Sequence, residues 1–107
     1  MFTIHIAGKL GQTPQTQKFD SGNTVTKFTV ATKNRGVTVW VTVEAWNGLG
    51  EIVQEYLSKG AHVAIQARPK VTITESSDGH KTGRPRAWLK DGEAQTQFEF
   101  VAESIDF

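Results

Sequence analysis

Aromatic rings and basic side chains are the groups in this sequence with the clearest chemical potential. The flat rings of Trp40, Trp46 and Trp88 offer π-faces for stacking, and lysine and arginine side chains attract phosphates. The basic residues considered for such contacts are Lys27, Lys33, Arg35, Lys70, Lys81, Arg84, Arg86 and Lys90. Stacking rings beside cations are what a sequence-tolerant binder of single-stranded nucleic acid needs.

One basic segment stands out from the other charged residues. Residues 81–90 hold four basic side chains and Trp88 but no acid, whereas residues 91–107 hold five acids and no base. For any single lysine, a solvated surface position is the simpler interpretation. For this segment nucleic-acid contact is favoured, although the net charge of +1 by itself says little about partners.

Two of the tryptophans belong to the most regular stretch of the chain, Val37–Trp46. Its strict alternation predicts a β-strand whose valines face a core. Trp40 and Trp46 then lie on the opposite face, with the candidate contact Thr42 and the acid Glu44 between them. This strand alone leaves two interpretations open: a stacking platform, or a face covered by a helix or a second subunit.

Enzymatic chemistry has little support in the sequence. His5, His62 and His80 lack metal-type spacing, and there is no cysteine, no Ser/His/Asp order and no phosphate-cradling glycine loop. Asp78, close to His80, is better explained by a turn. We therefore expect no catalytic residue, no metal and no cofactor.

Length and composition bound the class of protein. A chain of 107 residues fits one domain, 1–107, and no apolar run approaches the roughly 20 residues of a membrane span. Met1 leads directly into an alternating stretch, so no signal segment and no membrane partner are expected. The lack of cysteine suits a cytoplasmic protein.

Periodicity predicts an all-β domain with one helix. The five expected strands are residues 2–10, 24–33, 37–46, 61–67 and 93–107. In the second strand, Phe28 and Val30 are expected in the core, Val25 is out of phase with them, and a bulge is expected in between. Gly8 suggests a bulge or a tight barrel bend in the first strand.

The helix is expected at residues 49–59, where apolar residues recur at helical intervals. Asn47 is its predicted N-cap and Gly60 its C-terminal glycine. Residues 11–23 are interpreted as a polar connection and residues 80–92 as a basic loop, with a turn at Asp78-Gly79.

Five strands with a helix between the third and fourth form the element order of an OB-fold. This five-stranded Greek-key barrel binds oligonucleotides, and a loop joining its last strands is a usual contact loop. The same pattern also fits other small β-barrels.

The sequence resembles the bacterial single-stranded DNA-binding protein (SSB) family. The residues that carry the resemblance are I-A-G-K-L-G-Q-T-P at 6–14, S-G-N-T-V-T-K-F-T-V-A-T at 21–32, and E-I-V-Q-E-Y-L-S-K-G at 51–60. The match covers essentially the whole chain up to about residue 73 and then weakens; the order and spacing of the motifs carry it, rather than any single motif. The resemblance implies an OB-fold that coats single-stranded DNA during replication, recombination and repair, in a nucleoid-associated homo-oligomer, a tetramer or dimer.

Residue by residue, the resemblance places Trp40 and Trp46 on the family's stacking aromatics. The aromatic expected late in the fourth strand aligns near Thr74, and Trp88 is its possible replacement. The last residues, Ile105-Asp106-Phe107, are expected to complete the fifth strand, so the acidic C-terminal tail through which the family recruits partner enzymes is not expected here. A primosome-type or structural OB-fold protein that acts mainly through protein–protein contacts therefore stays open as the alternative.

Overall fold

The computed structural model describes the backbone of residues 1–85, 87–90, 93–96 and 98–107, and the side chains of residues 1–83 and 98–107. These residues form one helix, α1 (Asn47–Tyr56), and ten strands. The strands are β1 (Ile4–Leu10), β2 (Gln15–Lys18), β3 (Thr24–Asn34), β4 (Val37–Trp46), β5 (His62–Pro69), β6 (Val71–Glu75), β7 (Lys81–Pro85), β8 (Ala87–Lys90), β9 (Glu93–Thr96) and β10 (Glu99–Asp106).

Five of the strands close into a barrel, as the predicted OB-fold requires. The sheet order is β1-β5-β10-β4-β3, and β3 returns to β1 through the pairs Lys9–Ala31 and Leu10–Val30. The β10–β4 pairing is parallel, while the other pairings of the barrel are antiparallel. Strand β2 extends the sheet at the outer edge of β3.

The barrel interior is filled by the alternating apolar residues that the sequence indicates. In β4, Val41, Val43 and Ala45 are buried and meet core residues of β3. The prediction fails at the start of the strand, where Val39 is only partly buried and Val37 is 64% exposed beside the β3–β4 turn. Val53 and Leu57 bring the inner side of α1 and the turn after it into the same core cluster. Burying an aliphatic side chain contributes about 1.5–3 kcal/mol, so this alternation is what fixes the register of β3 against β4.

The predicted bulge in β3 is wrong, because the β3–β4 register runs without a shift from Val25 opposite Trp46 to Asn34 opposite Val37. Val25 is nevertheless buried, on the outer face of β3 rather than in the barrel. A register shift does occur in β10, between Ala102 and Ser104.

Gly8 lets strand β1 approach strand β3 closely, and it does not form a bulge. The β1–β5 pairing continues through Gly8 opposite Val63, but a Cβ at Gly8 would overlap the backbone oxygen of Ala31. The glycine thus lets β1 approach β3 where the barrel closes. Strand β1 itself begins at Ile4 instead of Phe2, and Phe2 is exposed.

The helix begins and ends earlier than predicted. It spans Asn47–Tyr56, and Asn47 is its first residue, at φ 51°, rather than its N-cap. Gly60 is not the glycine that ends the helix; it lies in the following turn at φ 87°, and its N–H donates to the backbone oxygen of Leu10 at 2.8 Å. The chain leaves the helix at Leu57, whose backbone is extended at φ −111° and ψ 141°.

Segments predicted as connections contain strands of their own. The polar residues 11–23 include β2, and residues 80–92 include β7 and β8, which form hairpins with β6 and β9. The predicted last strand is divided into β9 and β10. Strands β2, β7, β8 and β9 are only four or five residues long and lack the one-sided apolar alternation that marks a barrel strand.

The turn predicted at Asp78-Gly79 is confirmed. It joins β6 to β7, with Gly79 at φ 85° and a hydrogen bond from the Ser76 N–H to the His80 oxygen at 2.8 Å. The Ser76 hydroxyl and the His80 N–H donate to the Asp78 carboxylate and lower the pKa of Asp78 below its ordinary value.

Candidate nucleic-acid interface

The outer face of β3 and β4 carries a row of directly paired side chains. Residues opposite each other in antiparallel strands share a face, so the register places Ala31 beside Trp40, Thr29 beside Thr42, and Lys27 beside Glu44. The row begins with Lys33 beside Thr38 and ends with Val25 beside Trp46. The structure thereby confirms the predicted side of the strand for both tryptophans and for Lys27.

Trp40 is 57% exposed and Trp46 38%, on the face opposite the buried valines of their own strand. Six residues at about 3.3 Å each separate the two rings by roughly 20 Å along β4. The two rings therefore occupy separate positions on one strand, too far apart to contact each other. Thr42 lies half-buried between them.

Trp40 rests on a glycine of the segment that follows β1. A Cβ added at Gly11 would overlap the Trp40 ring at Cζ3 and lie 2.9 Å from Cη2. The Gly11 N–H donates to the backbone oxygen of Thr29 at 3.0 Å, which fixes this segment against β3. Gly11 therefore provides the space in which the Trp40 ring lies.

Trp46 has an aromatic neighbour that the sequence analysis missed. The Phe19 ring stacks on it with centroids 5.8 Å apart and an interplanar angle of 17°. Phe19 lies in the turn between β2 and β3, among polar residues whose only conspicuous signal is the following Asp-Ser-Gly-Asn turn. An aromatic residue beside such a turn is the signal that could have identified it.

Glu44 is paired with two lysines. It is only 5% exposed, and its Oε2 accepts a hydrogen bond from Lys70 Nζ at 2.8 Å and lies 3.7 Å from Lys27 Nζ. The Lys27 and Lys70 side chains remain 53% and 35% exposed. The two ammonium groups more than offset the charge of Glu44, so Glu44 itself does not make this face repel phosphate. A second carboxylate, that of Glu99, lies beside Thr42 in the β10–β4 register.

The other predicted basic residues lie further out. Lys33 donates to Thr38 Oγ1 at 2.6 Å near the start of β4, and Arg35 is in the β3–β4 turn at φ 52°. Lys81 is exposed at the start of β7. The side chains of Arg84, Arg86, Trp88 and Lys90 lie outside the described residues, so whether Trp88 replaces an aromatic near Thr74 stays a prediction.

An OB barrel with two outward tryptophans on its third barrel strand agrees with the resemblance found in the sequence. The sequence profile of the "Single-strand binding protein family" matches residues 1–107. The chain belongs to this family. Its membership confirms the resemblance drawn from the motifs at 6–14, 21–32 and 51–60.

Individual relatives are about one-third identical to this family member. A protein of Synechocystis sp. named single-stranded DNA-binding protein 1 is 32% identical over 90 residues, covering 79% of this chain and 72% of the relative. Its namesake in Chlorobaculum tepidum is 34% identical over 89 residues, covering 75% of this chain and 53% of the relative. The single-stranded DNA-binding protein of Bacteroides thetaiotaomicron is 32% identical over 87 residues, covering 71% and 54%. The matches thus span about half the length of the latter two relatives.

The described residues contain neither a metal-type cluster of side chains nor a membrane-spanning helix. No group of three or more His, Cys, Asp or Glu side chains in that part of the chain is placed to hold a metal ion. Within the same residues, no helix is both long and apolar enough to cross a membrane.

The contact between Gly11 and Trp40 gives a testable consequence for this family member. We expect Gly11→Ala to displace the Trp40 ring, because the new methyl group occupies the place of the ring. Loss of one base stack should weaken binding of single-stranded oligo-dT about fivefold or more. The fold should survive, since an exposed side chain can move aside more easily than backbone. Fluorescence titration with oligo-dT and thermal melting measure the two effects.

Gly48→Ala is the matched control, because a Cβ there meets nothing within 4 Å. It should leave the affinity unchanged. If Gly11→Ala binds as tightly as the wild type, the position of the Trp40 ring does not matter for binding.

Proposed function

We propose that this chain binds single-stranded DNA without sequence preference, through base stacking on Trp40 and Trp46 and phosphate contacts from neighbouring lysines. The observation that carries the proposal is the exposure of both rings on the polar face of one barrel strand. Membership of the single-strand binding protein family and the names of the relatives support it.

The lysines nearest to the two rings complete the proposed interface. Lys27 and Lys70 lie between the tryptophans, held by Glu44, and each ammonium keeps N–H groups beyond the one that faces the carboxylate. Thr42, Lys33 and Arg35 extend the surface along β4 and its turn, and the basic segment 81–90 is proposed as a second contact region. Such contacts follow the sugar–phosphate chain without distinguishing bases.

The proposal concerns binding rather than catalysis. The alternative of an OB-fold protein that acts mainly on other proteins is not favoured, because the matching family and the relatives bear names that refer to single strands. By similarity to the family we further propose that the chain works in replication, recombination and repair in the cytoplasm, associated with the nucleoid.

The test is a tryptophan-fluorescence titration with oligo-dT, with duplex DNA and RNA of equal length as comparisons, at two salt concentrations. Stacked bases should quench the emission strongly, and log K should fall with log salt by about 0.7 per phosphate contacted. Strong preference for oligo-dT over the duplex is expected. Tryptophan emission that does not change on addition of oligo-dT would overturn the stacking part of the proposal. An affinity that does not depend on salt would overturn the phosphate contacts.

A homo-oligomer is the proposed assembly. Strand β1 pairs with β5 over Ile4–Lys9 but with β3 only at Lys9 and Leu10. Among the described strands, none covers the rest of that edge of β1, and an open edge is a ready site for pairing with another chain. Light scattering at micromolar concentration tests this, and the mass of a single chain would contradict it.

A further inference from the structure

Phe19 is an exposed aromatic residue that lies on the proposed interface and has no role in the function described so far. Its ring stacks on Trp46 with centroids 5.8 Å apart, and it is 38% exposed. It does not belong to the core cluster of the barrel. Its position therefore needs an explanation other than burial.

The backbone holds the turn that carries Phe19 in a fixed shape. The Phe19 N–H donates to the Asn23 oxygen at 2.9 Å, and the Gly22 N–H donates back to the Phe19 oxygen at 3.0 Å. On the β2 side, the Thr16 hydroxyl donates to Gln54 Oε1 at 2.9 Å, which attaches β2 to α1. The Phe19 ring is thus presented by a closed turn rather than by a free loop.

Asn47 attaches this turn to the residue that follows Trp46. Its Oδ1 accepts a hydrogen bond from the Thr24 N–H at 3.0 Å, and its Nδ2 donates to Asn23 Oδ1 at 3.4 Å. The backbone of Asn47 has φ 51°, a left-handed conformation that residues other than glycine seldom adopt but that asparagine tolerates. Asn47 directly follows Trp46 in the chain, so its hydrogen bonds tie the end of β4 to the turn that carries Phe19. This link helps to hold the Phe19 ring against the Trp46 ring.

We propose that Phe19 is a third base-stacking side chain, which extends the path of single-stranded DNA beyond Trp46 onto the β2–β3 turn. The proposal rests on the proposed function. Phe19 and Trp46 form a near-parallel pair whose partly exposed rings leave room for a nucleobase to continue the stack, as bases do on successive aromatic side chains. Lys18, exposed and directly before Phe19, adds a cation for the accompanying phosphate.

The experiment compares Phe19→Ala, Phe19→Leu and Phe19→Tyr with the wild type in oligo-dT titrations and thermal melts. Phe19→Ala and Phe19→Leu should weaken binding by about 5- to 150-fold, the range that one base–aromatic stack supplies. Phe19→Tyr should stay within about twofold of the wild type, because it keeps the ring. Leucine retains apolar bulk, so Phe19→Leu serves as the test if the alanine variant does not fold.

Phe107→Ala is the matched control. Phe107 is also an exposed phenylalanine in a stacked pair, with Tyr56 at 5.8 Å and 24°, but it lies at the end of the chain next to α1. Its truncation should leave the affinity unchanged. If Phe19→Leu binds as tightly as the wild type, Phe19 only packs against Trp46 and the proposal is overturned, while wild-type binding still supports the proposed function. Wild-type protein that does not bind oligo-dT would overturn both.

Discussion

Trp40→Ala is expected to weaken binding of oligo-dT by about 1–3 kcal/mol while changing the free energy of unfolding by much less. The ring is more than half exposed, and it points away from Val41 and Val43, which supply the core contacts of the same strand. Its removal therefore deletes a stacking surface without opening a cavity. Fluorescence titration and thermal melting of the same variant separate the two effects.

Val41→Ala, at the neighbouring position, is the matched control and should show the opposite pattern, a loss of stability without a loss of affinity. Val41 is buried in the core cluster, so its truncation should cost about 1–3 kcal/mol of stability and leave affinity intact in the folded protein. If Trp40→Ala instead lowers the melting temperature strongly and keeps full affinity, its ring is buried by a partner subunit and does not stack on bases.

Trp46→Ala should combine both effects. Its ring stacks on Phe19, and an aromatic pair contributes about 0.5–1.5 kcal/mol, so some stability is lost together with binding. For this reason the Trp40 variant is the cleaner test of base stacking.

The barrel and the face of the tryptophans could be predicted from sequence because both depend on local periodicity. Alternation in β4 assigns Val41 and Val43 to one side and Trp40 and Trp46 to the other, whatever the rest of the chain does. Five strands with one helix between the third and the fourth are then compatible with only a few small β-barrel folds. The family motifs agreed with this order.

The contacts that complete the site could not be predicted, because they join residues that are distant in the chain. Gly11 supports Trp40, Phe19 stacks on Trp46, and Lys70 neutralises Glu44, each across 26 or more residues. No local pattern encodes such pairs. The predicted start of the helix was wrong for a similar reason, since the Asn47 side chain accepts a hydrogen bond from Thr24 at the end of the β2–β3 turn instead of capping α1.

Lys70→Ala is expected to destabilise the fold, because it removes the nearest positive charge from the buried Glu44 carboxylate. Glu44 is almost fully buried, and among the side chains that the structure describes its one remaining ion-pair partner without Lys70 is the more distant Lys27, at 3.7 Å. Breaking a fully buried ion pair costs about 3–5 kcal/mol, but Lys70 is about one-third exposed and Lys27 remains, so we expect about 1–2 kcal/mol. Chemical denaturation measures the change.

The double variant Glu44→Gln Lys70→Ala should recover most of that loss, since a neutral amide needs no ammonium partner. Lys59→Ala, which removes an exposed lysine beyond α1, is the control and should be nearly neutral. If the double variant is as unstable as Lys70→Ala, the loss comes from packing of the lysine stem and not from the charge of Glu44.

Glu44→Gln alone should bind oligo-dT more tightly and with a steeper dependence on salt. Removing the carboxylate raises the net charge between the tryptophans by one, which frees an ammonium for one more phosphate and adds up to about 0.7 to the slope of log K against log salt. The glutamine oxygen can still accept the hydrogen bond from Lys70, so the lysine need not leave the surface. Weaker binding with an unchanged slope would instead mean that the charge of Glu44 holds Lys27 and Lys70 where phosphate needs them.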